Sequence, residues 1–310
     1  MEEFSVEEVD LVPDDTMPIS PSTTNAVGST TDVVAGVGLA LLANVPVALH
    51  GAPGTGKTSL VRSLANAFRW PMHTMTATIH DATDFAGLAY LSSNGTLDTR
   101  TMRASLQWAV GLAKEAMQND GNGIVFFDDI SYAPPTVQNA LLQIVQERRV
   151  GDFQMPLGVR CAAALNPHDT AASMRALTAP LANRMVHIVW APDIESWVAG
   201  TMSGWRPIVP PLHDGWQQCL PATRTKVTTF IRSHPKLLHT EPAEPSAQGG
   251  PWPSRRTWDM LITLLSACDA ANVSTEVRRL LAVGAVGEST ATAYLAWVEQ
   301  IKLAEKIAGT

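Results

Sequence analysis

Eight consecutive residues have the types and spacing of a phosphate-binding loop. Residues 51–58, Gly-Ala-Pro-Gly-Thr-Gly-Lys-Thr, fit the pattern G-x-x-x-x-G-K-[ST] at every fixed position. The glycines of such a loop let backbone N–H groups close around a polyphosphate, and the next helix adds the positive end of its dipole. Lys57 would reach the β- and γ-phosphates, and the Thr58 hydroxyl would bind Mg²⁺. We therefore predict a nucleotide site at Gly51, Ala52, Pro53, Gly54, Thr55, Gly56, Lys57, Thr58 and Ser59.

The residues on either side of this loop argue against a chance match in a turn. Residues 45–50 are mostly apolar and predict a strand, and residues 59–68 carry apolar side chains at helical spacing. A strand, a glycine-rich turn and a helix together form the context in which this pattern binds phosphate.

Two acids at the end of an apolar run are the next candidates for chemistry. Residues 123–127 predict a buried parallel strand, which would bring Asp128 and Asp129 to the carboxyl edge of a sheet. The phosphate loop opens at the same edge. We expect Asp128 to complete the Mg²⁺ shell and Asp129 to orient or deprotonate the attacking water. Without the loop upstream, an ordinary strand that ends in a polar turn would be the favoured interpretation.

Asn166 and Arg184 stand at the ends of further predicted elements. Residues 159–165 predict another buried strand, and the Asn166 amide at its end could hydrogen-bond the attacking water or the γ-phosphate. A turn-forming Asn before Pro167 is the plain alternative. Arg184 precedes a last predicted strand at residues 186–190, and taken alone it would be interpreted as a salt-bridged surface residue.

Composition indicates a folded protein with an uneven charge distribution. The chain has 310 residues, 45% of them hydrophobic, enough for one large or two modest domains. No apolar run approaches the roughly 18 residues that a membrane span needs, and the acidic start lacks the features of a signal peptide. We therefore predict a cytoplasmic protein. Three widely spaced cysteines, Cys161, Cys219 and Cys268, form no metal-binding pattern and are expected to be reduced.

The net charge of −7 comes almost entirely from the N-terminal part. The first 50 residues contain eight acids and no Lys or Arg, whereas the remaining residues carry 22 basic and 21 acidic side chains. A near-neutral body disfavours general nucleic-acid binding, although it leaves a local basic patch open. The Ser-, Thr- and Pro-rich start is predicted to be a mobile acidic tail, and a docking segment for a basic partner is the alternative.

The order of predicted elements indicates an α/β core followed by a small all-helical domain. We predict a tail at residues 1–30, the core at 31–198 and the helical domain at 199–310. Residues 200–216 are interpreted as a crossover, and Asn94 with Gly95 as a hairpin turn. The predicted strands lie at 45–50, 72–78, 123–127, 159–165 and 186–190, and the helices at 31–43 (capped by Thr31 or Asp32), 59–68, 102–117, 134–147, 222–234 and within 254–305.

The ordered set of motifs resembles the AAA+ ATPases and, among them, the MoxR-like branch. The resemblance covers roughly residues 31–305. Walker A alone is common to many nucleoside triphosphatases, but the ordered series with Gln-Glu-Arg-Arg-Val-Gly-Asp at 146–152 is more specific. The matching segments are 51–58 (Walker A), 126–129 (Walker B), 137–152, 163–167 (sensor 1), 181–184 (arginine finger) and 253–257 (the start of the sensor 2 helix).

The resemblance implies a ring, usually a hexamer, with ATP sites shared between neighbours. Arg184 would reach the γ-phosphate of the adjacent subunit, and Arg256 would contact the nucleotide of its own chain from the helical lid, with Arg255 as the alternative in register. It also implies a chaperone-like remodeller of a protein partner, often one with a von Willebrand factor A domain. Residues 79–97 are the candidate client contact. The alternatives are a nucleic-acid motor or loader, a monomeric P-loop enzyme such as a kinase, and a nucleotide switch.

The chain departs from the family pattern at Asp129, because the family usually has Glu at this position. Aspartate is one methylene shorter, which moves its carboxylate back by about 1.5 Å, a C–C bond length. A misplacement of about 1 Å can lower a rate roughly 10²-fold. We therefore predict slow hydrolysis.

Overall fold

The computed structural model describes residues 28–77, 79, 107–166 and 176–308. The strands are β1 (Val47–His50), β2 (Met72–Thr76), β3 (Gly123–Asp128), β4 (Arg149–Val150), β5 (Phe153–Gln154), β6 (Val159–Leu165) and β7 (Val186–Val189). The helices are α1 (Thr30–Leu42), α2 (Lys57–Phe68), α3 (Gln107–Met117), α4 (Pro135–Glu147), α5 (Ala179–Ala182), α6 (Ile194–Ser203), α7 (Leu220–Ser233), α8 (Arg255–Ala271), α9 (Thr275–Val286) and α10 (Glu288–Ala308).

Five of these strands form a parallel sheet in the order β2-β3-β6-β1-β7. The register pairs Leu49 of β1 with Ala164 of β6 on one side and with Ile188 of β7 on the other. On the next strand, Phe127 of β3 pairs with Ala163 of β6. The carboxyl ends of β1, β3 and β6 therefore lie side by side, and the residues that follow these three strands meet at one edge of the sheet.

Helices cover both faces of the sheet, which explains why the central strands β3 and β6 have almost continuous apolar sequences. Side chains alternate between the faces of a strand. In β3, Ile124 and Phe126 therefore join the buried cluster formed with α1, α2, α8 and α9. Val125 and Phe127 join the opposite cluster with α3 and α4. The predicted fold class, an α/β P-loop core followed by a helical region, is confirmed.

The C-terminal helices share a core with the sheet. Val186 and Ile188 of β7 belong to the same buried cluster as Leu281 and Val283 of α9. Gly284 permits this approach, because a Cβ atom at that position would lie 2.3 Å from the backbone oxygen of His187. The boundary predicted at residue 198 remains a prediction, and the buried cluster extends across it.

Two local predictions were wrong. Helix α1 is capped by Ser29, whose hydroxyl oxygen accepts a hydrogen bond from the Asp32 N–H at 3.2 Å, and not by Thr31 or Asp32. The interpretation of residues 200–216 as a crossover missed α6, which is capped by Asp193. Only Gly200 of this helix is buried, so it lacks the apolar periodicity that would have predicted it.

Several predicted features lie outside the described residues. They are residues 1–27 of the tail, the turn at Asn94 and Gly95, residues 102–106 of a predicted helix, Pro167, and nearly all of the candidate client contact at 79–97.

The described helices include none that is long and apolar enough to cross a membrane. All three cysteines are free, and burial raises the pKa of Cys268 to about 12.

Candidate functional site

The phosphate loop connects β1 to α2 and depends on its glycines. Gly54 and Gly56 have φ angles of 80° and 86°, in the left-handed region that favours glycine. A Cβ atom on Gly51 would lie 2.4 Å from the backbone oxygen of Trp190. The Trp190 indole N–H in turn donates to the Thr55 carbonyl at 2.8 Å, so the residue after β7 holds the loop from the side.

Lys57 lies inside this loop. Its Nζ donates to the carbonyls of Gly51 at 2.6 Å and Ala52 at 3.0 Å, and to Asn166 Oδ1 at 2.8 Å. Burial lowers the pKa of Lys57, and the negative charges of Asp129 and Asp128 act in the opposite direction. The loop therefore holds a cation at the point where a polyphosphate would enter.

Thr58 and Asp128, the predicted magnesium ligands, lie in contact with each other. The Thr58 hydroxyl donates to Asp128 Oδ2 at 2.8 Å, although 70 positions separate the two residues in sequence. Hydroxyl and carboxylate oxygens are ligands that Mg²⁺ prefers, and Mg²⁺ commonly uses one or two protein ligands together with substrate phosphates and water. The two side chains therefore fit a Mg²⁺ ion that also binds a nucleotide.

Asn166 connects the cation of the site to the second carboxylate. Its Oδ1 accepts from Lys57, and its Nδ2 donates to Asp129 Oδ1 at 3.2 Å. The backbone N–H of Asn166 donates to the hydroxyl of Ser131, which is buried and which the sequence did not suggest. Asp129 itself has a φ of 54°, a left-handed conformation that Asp adopts more readily than most residues.

A cavity of about 780 Å³ opens beside the phosphate loop. We call it the loop cavity. Its size is that of a small-molecule site. Its walls come from the start of α1, the loop itself, Trp190, and the segment of residues 192–208 that contains α6. Trp197, Trp205 and Ile208 contribute apolar surface to it, so the described residues offer aromatic and aliphatic contacts next to a phosphate cradle.

Arg184 and Arg256 lie together, away from the loop cavity. Both line a cavity of about 410 Å³ between α5 and α8, and both line a second one beside residues 43–46. Arg184 donates to Gln146 Oε1 at 2.8 Å and to the Pro180 carbonyl. Burial lowers the pKa of Arg184, and the charge of the nearby Arg256 guanidinium lowers it further.

The two arginines occupy the amino edge of the sheet. Arg184 precedes β7, and residues 43–46 beside Arg256 precede β1, whereas the phosphate loop follows β1. The four residues of β1 span about 13 Å at roughly 3.3 Å per residue. This placement does not support the predicted contact of Arg256 with the nucleotide of its own chain. The predicted contact rested on the family resemblance, whereas the position of Arg256 in this chain depends on how α8 docks against α5.

A histidine pair links the two regions, and sequence reasoning missed it. His50 Nε2 and His187 Nδ1 are 2.8 Å apart, and His187 Nε2 is 3.0 Å from the Ala182 carbonyl. A carbonyl only accepts, so His187 Nε2 carries the proton, His187 Nδ1 accepts, and His50 Nε2 donates. Burial lowers the pKa of His187 to about 4. The pairing depends on the β1–β7 register, which no local pattern reveals.

The fold and the site resemble those of one class of protein. A parallel sheet with a phosphate loop after β1, two acids at the end of β3 and an amide after β6, followed by a helical region, is also found in the AAA+ ATPases. Residues 46–185, a little under half of the chain, match the AAA domain of the dynein-related subfamily.

One solved structure supports the fold over most of the chain. A crystal structure of a "putative ATPase" from Cytophaga hutchinsonii ATCC 33406 is 16% identical and superposes with a TM-score of 0.50. The match covers 84% of this chain and 82% of that one. At this identity the likeness concerns the fold alone. No curated protein matches the sequence.

Proposed function

We propose that this protein is a Mg²⁺-dependent ATPase whose nucleotide site is completed by a second copy of the chain. The observation that carries the proposal is the position of the candidate arginines. Arg184 and Arg256 lie at the amino edge of the sheet, whereas the phosphate loop opens at the carboxyl edge. Arginines that stabilise transition-state charge must approach the γ-phosphate, so a neighbouring copy has to supply them.

The loop cavity is the proposed site of ATP, with the phosphates on the loop from Gly51 to Ser59. Phosphate oxygens would replace the carbonyls of Gly51 and Ala52 as acceptors for Lys57, which already lies at the mouth of the loop. Mg²⁺ held through Thr58 and Asp128 would neutralise charge on the β- and γ-oxygens. The apolar wall formed by Trp197 and Trp205 suits the base of the nucleotide.

Asp129 is the group proposed to orient or deprotonate the attacking water. It is a carboxylate next to the Mg²⁺ residue Asp128, and Asn166 holds one of its oxygens at 3.2 Å. Asn166 also contacts Lys57. We propose that it sets the distance between Lys57, which would contact the phosphates, and Asp129, which would contact the attacking water. The short side chain of Asp129 predicts slow turnover, which would leave the protein in its ATP-bound form for long periods.

A ring follows from the separation of the two half-sites. One surface of a subunit carries the loop cavity, and another carries Arg184 and Arg256. Repeated contact between two such unlike surfaces closes into a ring when the rotation between subunits allows it. We propose a homo-hexamer in which both arginines act on the neighbour's ATP. Arginines in this role raise rates by about 10³–10⁵-fold in other nucleoside triphosphatases.

The motif order supports a place in the MoxR-like branch of the AAA+ ATPases. We propose a chaperone-like role in remodelling a protein partner, and a von Willebrand factor A-domain protein as that partner. The proposed location is the cytoplasm. The near-neutral charge outside the first 50 residues argues against a nucleic-acid motor or loader. Asp129 favours one second candidate, a nucleotide-dependent switch with slow hydrolysis.

Phosphate release from Mg·ATP by the purified protein tests the activity. Wild type should hydrolyse ATP, and Lys57→Ala and Asp128→Asn should each lower the rate by about 10²-fold or more, because they remove phosphate and Mg²⁺ contacts. Lys226→Ala is the matched control, since Lys226 is exposed on α7. Hydrolysis that survives Lys57→Ala would place the activity elsewhere. Sedimentation with and without ATP then tests whether assembly depends on the nucleotide.

A further inference from the structure

The segment that carries Arg184 depends on contacts with other elements. Helix α5 has only four residues, which is too short for a helix that is stable by itself. Residues 183–185 connect it to β7, and we call them the arginine segment. Arg184 itself donates to Gln146 of α4 and to the Pro180 carbonyl of α5. The position of its guanidinium group therefore follows the position of α5.

Buried polar side chains from other elements fix this short stretch of chain. Before α5, Gln138 of α4 accepts a hydrogen bond from a backbone N–H at 2.7 Å. After α5, Asn183 accepts one from the Ser254 hydroxyl at 2.7 Å. At the end of α5, the Ala182 carbonyl accepts from His187 Nε2 at 3.0 Å. Of these contacts, the one that His187 makes leads on to the phosphate loop.

His187 is joined through His50 to the phosphate loop of the same chain. His50 is the last residue of β1 and directly precedes Gly51, the first residue of the loop. The register pairs His187 with Ala48, so His50 is a diagonal neighbour on the same face of the sheet, and its Nε2 donates to His187 Nδ1 at 2.8 Å. Two consecutive hydrogen bonds therefore connect the residue before the loop with the residue before the arginine segment.

The surroundings of His187 would suit an apolar side chain. His187 is 6% exposed, and Ala48 and Ala182 beside it belong to an apolar cluster. Burial of a polar ring is costly unless its nitrogens have partners, and both ring nitrogens of His187 have them. Burial also lowers the pKa of His187, so the ring is neutral and offers one donor and one acceptor, as the two hydrogen bonds require. A histidine supplies these hydrogen bonds, whereas packing alone does not need them.

We propose that His187, oriented by His50, is a positioning residue for Arg184. It acts through the Ala182 carbonyl and holds the arginine segment where Arg184 can approach the nucleotide of the neighbouring copy. Because this role rests on the proposed function, in which Arg184 acts on the neighbour's ATP, loss of His187 should slow hydrolysis on the neighbour's loop and leave nucleotide binding on its own loop intact. A misplacement of about 1 Å can lower a rate roughly 10²-fold, so a small shift of the segment is enough.

Two amide substitutions separate the two hydrogen bonds of His187. The amide of His187→Gln reaches the position of Nε2 and can donate to the Ala182 carbonyl, whereas that of His187→Asn reaches only the position of Nδ1. His187→Asn should lower kcat by about 10²-fold with little change in KM, and His187→Gln should retain most of the wild-type rate. His213→Asn is the control at an exposed site. Equal kcat in the two His187 variants, or a folded His187→Gln that loses the rate, would contradict the role.

Mixed subunits show on which copy His187 acts. His187→Asn chains keep an intact loop, and Lys57→Ala chains keep an intact arginine segment. If His187 positions Arg184 for the neighbour, a 1:1 mixture should recover activity, because about a quarter of the interfaces then combine two intact halves. If His187 instead supports its own loop, both variants lack a working loop and the mixture stays slow, which would overturn the proposal.

A double variant tests whether His187 acts through Arg184. Residues in one hydrogen-bonded unit give effects that do not add. Arg184→Ala combined with His187→Asn should therefore hydrolyse ATP no more slowly than Arg184→Ala alone. A further loss of about 10²-fold in the double variant, as large as the loss expected from His187→Asn in wild type, would mean that His187 acts elsewhere.

Hydrogen exchange tests the position of the segment without any hydrolysis. The Arg184 N–H donates to the Leu181 carbonyl at 3.1 Å, so its exchange rate reports opening of the arginine segment. The rate should be higher in His187→Asn than in wild type and unchanged in His187→Gln, while the amides of α2 keep their rates. Equal rates in all three proteins would overturn the role of His187 even if the protein hydrolyses ATP. The expected rates in a protein that does not hydrolyse ATP would support the hold on the segment and overturn the proposed ATPase activity.

Discussion

Asn166 joins the two residues of the site that carry opposite charge. Its oxygen accepts from Lys57 and its NH₂ group donates to Asp129, so the amide is oriented by both partners. An Asp at this position would place three carboxylates around the loop, and an apolar residue would separate Lys57 from Asp129. The position of Asn166 at the end of β6 was predictable from the sequence. Its contacts with both Lys57 and Asp129 depend on β1, β3 and β6 being neighbours in the sheet.

Asp129→Glu tests whether the length of this carboxylate limits hydrolysis. The added methylene moves the carboxylate forward by about 1.5 Å. We expect single-turnover hydrolysis to become up to about 10²-fold faster, because a misplacement of about 1 Å can cost that much. Asp129→Asn, which has the original length and no charge, should be slower than wild type. A Glu variant that is no faster would show that another step sets the rate.

His187 predicts a pH-dependent loss of stability. Burial lowers its pKa from 6.5 to about 4, so the unfolded chain binds a proton more readily than the folded one between these values. The contribution of neutral His187 to the free energy of unfolding is complete above pH 6.5 and is lost as the pH falls towards 4. The loss amounts to about 3 kcal/mol.

The matching variant is His187→Gln, which can still donate to the Ala182 carbonyl and accept from His50. Free energies of unfolding from denaturant titrations should depend less on pH in this window than those of wild type. His213→Gln is the control, because His213 is exposed. Equal slopes in wild type and His187→Gln would mean that other groups dominate the acid response.

At the scale of elements, the close approach of α9 to β7 fixes the position of the helical region. Gly284 lies against the backbone of His187, the residue that also holds Ala182 just before the arginine segment. The helical region, the last strand and the arginines are therefore packed on one another. A prediction based on helical periodicity finds α9 but does not show which of its faces meets the sheet.

Gly284→Ala should strongly destabilise the protein. Its Cβ atom would lie 2.3 Å from a backbone oxygen that cannot move alone, and overpacking of this kind typically costs about 1–3 kcal/mol or more. Gly111→Ala in α3 is the matched control, because no atom lies within 4 Å of the added carbon. That variant should be more stable than wild type by about 0.5–1 kcal/mol. Denaturant titrations compare the two, and equal effects would contradict the packing.

At the scale of the whole molecule, the two halves of the proposed ATP site lie on opposite edges of one sheet. In the proposed assembly, a subunit would present the loop cavity to one neighbour and the cavity lined by Arg184 and Arg256 to another. Such a contact joins unlike surfaces and closes into a ring when the rotation allows it. Two exposed apolar side chains of α6, Ile194 and Trp197, line the loop cavity and would be available to a neighbour in the proposed assembly.

Mixing two inactive variants tests this arrangement. Lys57→Ala removes the loop half and Arg184→Ala removes the arginine half. In a random 1:1 mixture about a quarter of the interfaces combine an intact loop with an intact arginine, as head-to-tail contact requires. We expect each variant alone to hydrolyse little ATP and the mixture to recover roughly that share of wild-type activity. No recovery on mixing would place both halves in the same subunit.

The sequence by itself determined the local chemistry of this protein. The glycine spacing specifies the loop around Lys57, and short apolar runs specify strands that deliver Asp128, Asp129 and Asn166 to a sheet edge, because each of these signals lies within a few consecutive residues. Only the tertiary structure decided that Arg256 lies beside Arg184, that His50 pairs with His187, and that Asn183 accepts a hydrogen bond from Ser254. These contacts depend on strand order and on helix docking between residues distant in sequence, and no periodicity encodes them.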